Sequence, residues 1–422
     1  MWKNIYSVAF RVLVIFAFVV FAIFMLAPSR WVYAEEVPDA SNVPDSSGVS
    51  GASGIPGQSI NINSKASLLM EAETGKILHE ANSHEKLAPA SVTKVMTMLL
   101  IYEAIEQGRI TWDQLVTVSE HASSMGGSQV FLAPEEQQTV RDLVKSIVIA
   151  SANDAAVAMA EFVSGSEEAF VAMMNKRAAE LGMTNTHFNN ACGLDSNDHL
   201  TTAHDIALMS RELITKHPQV FEFAKIRIDK IYHKTKNGEE EFGLTNTNRL
   251  IRSYPGATGL KTGSTSQALF CISATAEKEG MILIAVVLGA PDPATRFDSA
   301  MKMFDHGYAN YSISPQEEKG TPMSEIIVYK GKNERAKAVI EDQQHILVPK
   351  GKDIVIDSQI QVMDSINAPV AKGTKAGEII YSHEGAEVGR GNLVIPEDIE
   401  KAQVKDMMKR VFSRWLVKQG KD

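Results

Sequence analysis

Three short polar motifs in otherwise apolar segments contain the residues that could do chemistry. They are Ser-Val-Thr-Lys at 91–94, Ser-Ala-Asn at 151–153 and Lys-Thr-Gly at 261–263. A serine followed by a lysine one helical turn later places a nucleophile beside a possible base. The other two motifs add a proton relay and an anion-binding group. Their order and spacing together predict acyl transfer through a serine ester.

Ser91 and Lys94 are the predicted nucleophile and base. Ser91 follows Pro89 at the start of a helical run, where the helix dipole favours negative charge on its oxygen. Lys94 can act as the base if burial and a second cation, for which Lys261 is the candidate, lower its pKa. The alternative is that Ser91 caps the helix and Lys94 is a solvated side chain.

Ser151 and Asn153 fall in a break between two buried helical segments. The Ser151 hydroxyl could pass a proton to a leaving amine, and the Asn153 amide could hold a substrate carbonyl or the amine of Lys94. The alternative is that these two residues cap the helix that follows.

The third motif precedes an apolar strand. Gly263 lacks a side chain, so a ligand can approach the backbone closely, while Lys261 and Thr262 offer a charge and a hydroxyl to a carboxylate. The N–H of Ser264 could pair with that of Ser91 as an oxyanion hole. The alternative is a glycine-rich turn before an edge strand.

Strands at both ends of one long segment enclose a block of helices, without the alternation of a doubly wound parallel sheet. We therefore predict an α/β protein of the α+β type, in which an antiparallel sheet flanked by helices carries an inserted helical lobe. A cleft between sheet and lobe is the natural site. The predicted strands are 66–72, 76–80, 270–276 and 281–288, and the predicted helices are 91–105, 140–150, 154–163, 170–181, 203–214 and 296–308.

The part of the chain after residue 313 differs in composition. Short alternating strands at 326–329, 336–339, 354–356, 360–363 and 378–381 predict a small all-β domain over 320–395. We then predict an amphipathic helix over 396–422 with a basic face, which suits an anionic membrane surface. The alternative is a helix docked on its own β domain. The apolar stripe comprises Val404, Met407, Met408, Val411, Phe412, Trp415 and Leu416.

The amino-terminal residues predict export. Lys3 and Arg11 precede a continuous apolar run, and small residues near Ala34 suit a signal peptidase. We predict a cleaved signal over 1–34 followed by a disordered linker over 35–58. The alternative is an uncleaved transmembrane helix. In either case, the rest of the chain is expected to work outside the cytoplasmic membrane.

Composition limits the kinds of partner and cofactor that the chain is expected to bind. The 422 residues carry a net charge of -9, and such an acidic chain is a poor nucleic-acid binder. Cys192 and Cys271 lie in apolar or tight contexts and are predicted to be free buried thiols. Neither a metal-ligand pattern nor a phosphate-binding loop stands out, so we predict no metal and no cofactor. The oligomeric state stays open.

In their longer contexts, the three motifs resemble low-molecular-mass penicillin-binding proteins, specifically exported serine-type D-alanyl-D-alanine carboxypeptidases. The strings Ala-Ser-Val-Thr-Lys, Ala-Ser-Ala-Asn-Asp-Ala-Ala and Gly-Leu-Lys-Thr-Gly carry the resemblance, together with Asn-Ala-Cys-Gly-Leu-Asp at 190–195 and His-Leu-Thr-Thr-Ala at 199–203. It implies a β-lactamase/transpeptidase-like fold, with a peptidase domain over 59–312. The small β domain and the basic tail are also similar to the family's C-terminal parts.

The resemblance implies removal of the terminal D-alanine from peptidoglycan stem peptides. Ser91 would be acylated with Lys94 as base, and Ser151 would relay protons. β-Lactams would acylate the same serine as substrate mimics. The substrate-binding residues that the resemblance implies are Asn153, Lys261, Thr262, Gly263, Ser264 and Arg296.

Three other functions are considered. A β-lactamase with a deacylating glutamate would need a Glu-x-x-Leu-Asn string, which none of the glutamates in the helical block begins. A DD-endopeptidase would use the same residues as a carboxypeptidase. A catalytically inactive, membrane-bound scaffold that binds peptidoglycan predicts the loss of at least one motif residue, and none is lost.

Overall fold

The computed structural model describes residues 60–235, 238–351 and 354–419. The predicted export signal and the whole of the predicted linker lie outside the described residues. The strands are β1 (Ala66–Glu71), β2 (Ile77–Ala81), β3 (Leu115–Thr117), β4 (Gln137–Thr139), β5 (Ile228–Thr235), β6 (Gly238–Thr245), β7 (Ala257–Thr265), β8 (Leu269–Lys278), β9 (Met281–Ala290), β10 (Tyr311–Pro315), β11 (Pro322–Tyr329), β12 (Arg335–Ile340), β13 (His345–Pro349), β14 (Asp357–Val362), β15 (Ser365–Asn367), β16 (Lys375–His383) and β17 (Ala386–Val394).

The helices fall between β2 and β10 except for the last one. They are α1 (Lys94–Glu106), α2 (Glu120–Ser123), α3 (Val140–Ile149), α4 (Asn153–Ser164), α5 (Glu167–Glu180), α6 (Ala203–Lys216), α7 (Val220–Ala224), α8 (Leu250–Ser253), α9 (Pro293–Asn310) and α10 (Val404–Gln419). In the described part of the chain, no helix is both long enough and apolar enough to cross a membrane.

A five-stranded antiparallel sheet in the order β2-β1-β9-β8-β7 organises the first domain. Its strands come from both ends of the domain, and the helices α1 to α8 are inserted between β2 and β7. This arrangement confirms the predicted fold class. The Lys-Thr-Gly motif lies on β7, the edge strand of this sheet.

The central strands are mostly apolar because both faces of the sheet are buried. Leu68 and Met70 of β1 pack into the core that the sheet shares with the helical lobe. Leu69, which points to the opposite face, packs with Phe304 and Met303 of α9. The helical lobe therefore covers one face of the sheet, and α9 covers the other. This packing on both faces holds the edge strand β7 in place.

The inserted lobe also contains strands that the sequence analysis missed. β3 pairs antiparallel with β4, although α2 lies between them in the chain, and β5 pairs with β6 as an antiparallel hairpin. The helix predicted from Ser91 begins instead with a 3-10 turn, Ala90–Thr93, and becomes an α-helix at Lys94. Ser91 therefore sits in a tight turn directly before the helix.

The second domain is a six-stranded sheet in the order β14-β16-β17-β12-β11-β15. Its core packs around the buried Tyr381 and Ile379. The predicted strand at 354–356 is wrong, because those residues lie in an irregular segment before β14. β10, β13, β15 and β17 have no counterpart among the predicted strands. β13 pairs with β10 in a separate two-stranded sheet, which links the second domain to the end of the first.

The terminal helix begins later than predicted. Residues 396–402 are not helical, and isolated bridges join Ile399 to Val370 and Lys401 to Gly331. Ile399 and Ala402 are buried against the second domain, and this burial holds the segment outside the helix. The helix starts at Val404, so the predicted bounds of 396–422 are wrong at the amino-terminal end.

Candidate active site

Ser91 and Lys94 lie within hydrogen-bond distance of each other. Lys94 Nζ donates to Ser91 Oγ at 3.0 Å, to Asn153 Oδ1 at 2.5 Å and to the carbonyl of Cys192 at 2.7 Å. These contacts use all three protons of an ammonium group. Lys94 is fully buried, which excludes the alternative of a solvated side chain.

Burial changes the acidity of this lysine. The loss of solvent lowers the pKa of Lys94 from 10.5 to about 8, although the nearby Cys192 and Asp154 groups act in the opposite direction. No carboxylate among the residues that the structure describes forms an ion pair with it. Lys94 can therefore exist as a neutral amine at a pH where an exposed lysine stays protonated.

A loop that follows α5 supplies the third partner of Lys94. Asn190 Oδ1 accepts from the N–H groups of Cys192, Gly193 and Leu194 at 3.3, 2.7 and 3.1 Å, which aims the Cys192 carbonyl at Lys94. A side chain at Gly193 would overlap the carbonyl of Ala90, so this close approach requires glycine.

His199 fixes the turn that carries Ser91. Its Nδ1 accepts from the Asn189 N–H at 3.0 Å, so its Nε2 carries the proton and donates to Thr93 Oγ1 at 2.8 Å. Burial lowers the pKa of His199 to about 4. The sequence alone does not place His199 beside the motif, because 106 residues separate it from Thr93.

Ser151 and Lys261 form a second pair in the same cluster. Lys261 Nζ donates to Ser151 Oγ at 2.8 Å and to the carbonyl of Thr262 at 2.9 Å. Ser151 has a left-handed φ of 63°, which is uncommon for a serine. Burial and the positive charges of Lys94 and Arg296 lower the pKa of Lys261 well below 10.5.

The Lys-Thr-Gly strand packs directly against the Ser91 turn. A Cβ atom at Gly263 would lie 2.8 Å from the Ser91 nitrogen and 2.9 Å from the Pro89 carbonyl oxygen, so only glycine fits. Thr262 Oγ1 donates to Thr247 Oγ1 at 2.8 Å. Ser264 is exposed on the same strand, next to the close approach.

Arg296 lies in the first turn of α9, behind the edge strand. Its guanidinium donates to the carbonyls of Gly263 and Cys271 at 3.3 and 3.4 Å and stacks on Phe297. Its buried Nε has no partner among the described residues. Burial lowers the pKa of Arg296 to about 10. The predicted site residues thus come together, with Arg296 reaching the cluster through Gly263.

Both cysteines are buried free thiols, as predicted. The site itself combines a serine hydroxyl, two buried amines and a buried guanidinium. Such a group can activate an alcohol at Lys94 and hold an anion at Lys261 and Arg296.

Two family models match the chain. One, described as D-alanyl-D-alanine carboxypeptidase, matches residues 53–292, and the other, described as the C-terminal domain of penicillin-binding protein 5, matches residues 316–401. The D-alanyl-D-alanine carboxypeptidase DacF of Bacillus subtilis is 42% identical over 353 residues, which cover 83% of this chain and 90% of the relative. DacC of Escherichia coli is 31% identical over 374 residues, with 84% and 90% covered.

Solved structures agree with these relatives. Penicillin-binding protein 5 from Haemophilus influenzae has a TM-score of 0.68 and 30% identity, and the match covers 82% of this chain and all (100%) of that one. Penicillin-binding protein 6B from Escherichia coli gives 0.63 and 30%, with 81% and 98% covered. Fold and site therefore define a serine enzyme of the penicillin-binding-protein class. Within that class, the chain belongs to the D-alanyl-D-alanine carboxypeptidase family.

Proposed function

We propose that this protein removes the terminal D-alanine from peptidoglycan stem peptides through an ester on Ser91. The observation that carries the proposal is the 3.0 Å contact between Lys94 Nζ and Ser91 Oγ, in a setting that lowers the pKa of Lys94 to about 8. At pH 7, about a tenth of such lysines are neutral and can accept the serine proton.

In the acylation step, Ser91 Oγ attacks the carbonyl carbon of the penultimate D-alanine while its proton moves to Lys94. The N–H groups of Ser91 and Ser264 would stabilise the oxyanion. The tight contact between Gly263 and the Ser91 nitrogen supports this pairing, because it brings the two backbone segments side by side.

The leaving amine of the terminal D-alanine needs a proton. Ser151, which lies within hydrogen-bond distance of Lys261, would pass the proton that Lys94 took from Ser91 on to this amine, which leaves Lys94 neutral again. Water would then attack the ester while Lys94 accepts the proton of the water, and that proton would return to Ser91 as the ester bond breaks. A β-lactam would acylate Ser91 by the same first step.

The substrate carboxylate would supply the anion that the cluster lacks. Lys261, Thr262 and Arg296 are the proposed binding residues, and Asn153 would hold a substrate carbonyl. In the free enzyme, burial and, to a smaller extent, repulsion from Lys94 and Arg296 lower the pKa of Lys261. A bound carboxylate would raise that pKa and favour the charged form of Lys261.

Labelling with a fluorescent penicillin tests the nucleophile. We expect labelling of the wild-type protein and of the control variant Ser253→Ala, which alters an exposed serine on α8, but none of Ser91→Ala. Persistent labelling of Ser91→Ala would contradict the assignment.

Mass spectrometry of muropeptides tests the reaction itself. We expect pentapeptides to become tetrapeptides with release of free D-alanine, while cross-linked dimers keep their cross-links. Cleavage of the dimers without trimming of pentapeptides would instead indicate a DD-endopeptidase.

We also propose that the protein is exported and that α10 rests on the outer face of the cytoplasmic membrane. Val404 and Val411 are 74% and 68% exposed, and Met407 and Met408 are also exposed. Their spacing places them on one side of the helix, and such a side can enter a lipid interface. Arg410 contacts the carbonyl of Gly331, which attaches the helix through a different side.

Sedimentation with anionic vesicles tests the anchor. The chain that lacks residues 404–422 should stay in the supernatant and keep its penicillin labelling. A matched variant with Lys405→Gln and Lys409→Gln should bind more weakly, because charge attraction to anionic lipid is lost. Co-sedimentation of the truncated protein would refute the role of α10.

A further inference from the structure

The loop formed by residues 126–132 (the 126–132 loop) lies against the Ser-Ala-Asn motif. Asn153 Nδ2 donates to the carbonyl of Gly126 at 2.6 Å, and the Asn153 N–H donates to the carbonyl of Ser128 at 2.7 Å. Because Asn153 Oδ1 also accepts from Lys94, the loop is one wall of the proposed active site.

Asp154 holds the far end of this loop. Its buried carboxylate accepts from the N–H groups of Val130 and Leu132, each at 3.1 Å, on both sides of Phe131. Phe131 itself has a left-handed φ of 60°, a conformation that a bulky residue rarely adopts. The fixed neighbours therefore maintain a strained backbone at a single aromatic residue.

The side chain of Phe131 is directed away from the core. It is 70% exposed, and its ring packs edge-on against that of Phe242 of β6, with centroids 6.0 Å apart. A single exposed apolar residue is ordinary on a protein surface. It is unusual, however, for an exposed aromatic ring to lie beside a catalytic cluster on a strained backbone that is held on both sides.

Phe242 rests on a buried polar pair. The ring of His233 packs edge-on beneath it at 5.5 Å, and His233 Nδ1 lies 2.8 Å from Glu136 Oε1. The other oxygen of Glu136 accepts from the Ala133 N–H at 2.8 Å. Because Ala133 directly follows the 126–132 loop, this hydrogen bond connects the polar pair to the loop. Both rings thus stand on fixed supports and form a preorganised surface.

We propose that Phe131 and Phe242 form an aromatic subsite for the stem peptide on the amino-terminal side of the bond that is cut. The inference rests on the proposed function and specifies which part of the substrate the enzyme holds. Methyl and methylene groups of the peptide would pack on the two rings. The strain at Phe131 is retained because it keeps one ring in position for a ligand.

The distance from Ser91 suits a peptide as the occupant. Gly126 contacts Asn153, which contacts the Lys94 amine beside Ser91. The five peptide units from Gly126 to Phe131 span at most roughly 17 Å, so the rings lie within reach of an extended stem peptide whose scissile bond is at Ser91. The sugar to which the stem peptide is attached could also stack on aromatic rings. The substrates compared below distinguish the peptide from the sugar.

The test compares the release of D-alanine from three soluble substrates. They are an acetylated D-Ala-D-Ala dipeptide, the free stem pentapeptide, and the same pentapeptide on its disaccharide. We expect Phe131→Ala to lower the ratio of kcat/KM for the pentapeptide to that for the dipeptide by about 5- to 10-fold, mainly through KM. Phe131→Tyr should retain the wild-type ratio, because it preserves the ring.

Ile228→Ala is the matched control, because it removes an exposed apolar side chain from the neighbouring β5. It should keep the wild-type ratio. An unchanged ratio in Phe131→Ala would overturn the subsite, and a loss that appears only when the disaccharide is added would overturn its assignment to the peptide.

The wild-type measurements separate this inference from the proposed function. Release of D-alanine by an enzyme whose Ser91 takes up penicillin supports the proposed function, and an unaltered ratio in Phe131→Ala then refutes the subsite alone. A wild-type protein without such activity would refute both.

Discussion

The same side-chain type behaves in opposite ways in the two domains. In the first, Lys94 is buried among a hydroxyl, an amide and a carbonyl, and the loss of solvent lowers its pKa to about 8. In the second, Lys319 is exposed and donates to Asp342 at 2.8 Å, a contact that raises its pKa. Burial without a carboxylate makes a lysine a base, whereas an exposed ion pair keeps it a cation.

The difference extends to the neighbouring charges. Lys261 and Arg296 are buried beside Lys94, and their pKa values are also lowered. In the second domain, Arg335 pairs with Glu325, and Arg390 pairs with Glu387, at the surface. The first domain thus concentrates positive charge where an anionic substrate can neutralise it, while the second domain neutralises its own charges in contact with water.

Removing Lys94 should produce the largest effect. We expect Lys94→Ala to lower the rate of Ser91 acylation by a β-lactam about a thousand-fold, because the serine loses its base. The rate can be measured by stopped-flow quenching of intrinsic fluorescence. Lys319→Ala should acylate at the wild-type rate, and equal rates for the two variants would end the distinction between the domains.

His199 extends the comparison to folding stability. Its pKa is about 4 in the folded protein and 6.5 in an exposed reference state, so the unfolded chain binds more protons between these values. The free energy of unfolding should therefore fall by about 3 kcal/mol as the pH drops from 6.5 to 4. Urea unfolding of His199→Gln should lack this component. His84→Gln, at an exposed position, should retain the pH-dependent loss of stability. An equal dependence of the free energy of unfolding on pH in the wild type and both variants would contradict the effect of His199 burial.

The pH dependence of acylation sharpens the comparison further. A base must be neutral to accept a proton, so the acylation rate should rise with pH as Lys94 deprotonates. With a pKa of about 8, the neutral fraction grows about 50-fold between pH 6 and pH 8 and then levels off. Acylation rates from pH 6 to 10, corrected for the hydrolysis of the β-lactam in buffer, give the midpoint. A rate that still climbs steeply above pH 10 would mean an unshifted lysine.

The smallest effect is expected in the second domain. Arg390→Ala removes exposed contacts to Glu387 and Glu378, and exposed pairs contribute little in water. Its thermal unfolding midpoint should match that of the wild type within error at physiological salt. A clear drop would show that these surface pairs support the sheet.

Several elements were predictable because they depend on local sequence. The unbroken apolar run of β9 indicates a strand that is buried on both faces, and the spacing of Ser91 and Lys94 indicates one turn of helix. Local patterns also led to two wrong predictions. The apolar residues at 354–356 resemble a strand but form none in the described structure. The helical spacing near the carboxyl terminus does not show that Ile399 packs into the second domain instead of joining the helix.

The sequence by itself determined which groups could react, since residue types and short spacings specify a nucleophile, a base and an anion-binding strand. Only the tertiary structure brought Lys261 to Ser151, which is 110 residues away, and the carbonyl of Cys192 to Lys94, which is 98 residues away. A backbone carbonyl has no signature in the sequence, and the lowered pKa values arise from burial by distant segments. Long-range packing therefore decided the electrostatics, because solvent is excluded by the whole fold and not by any single motif.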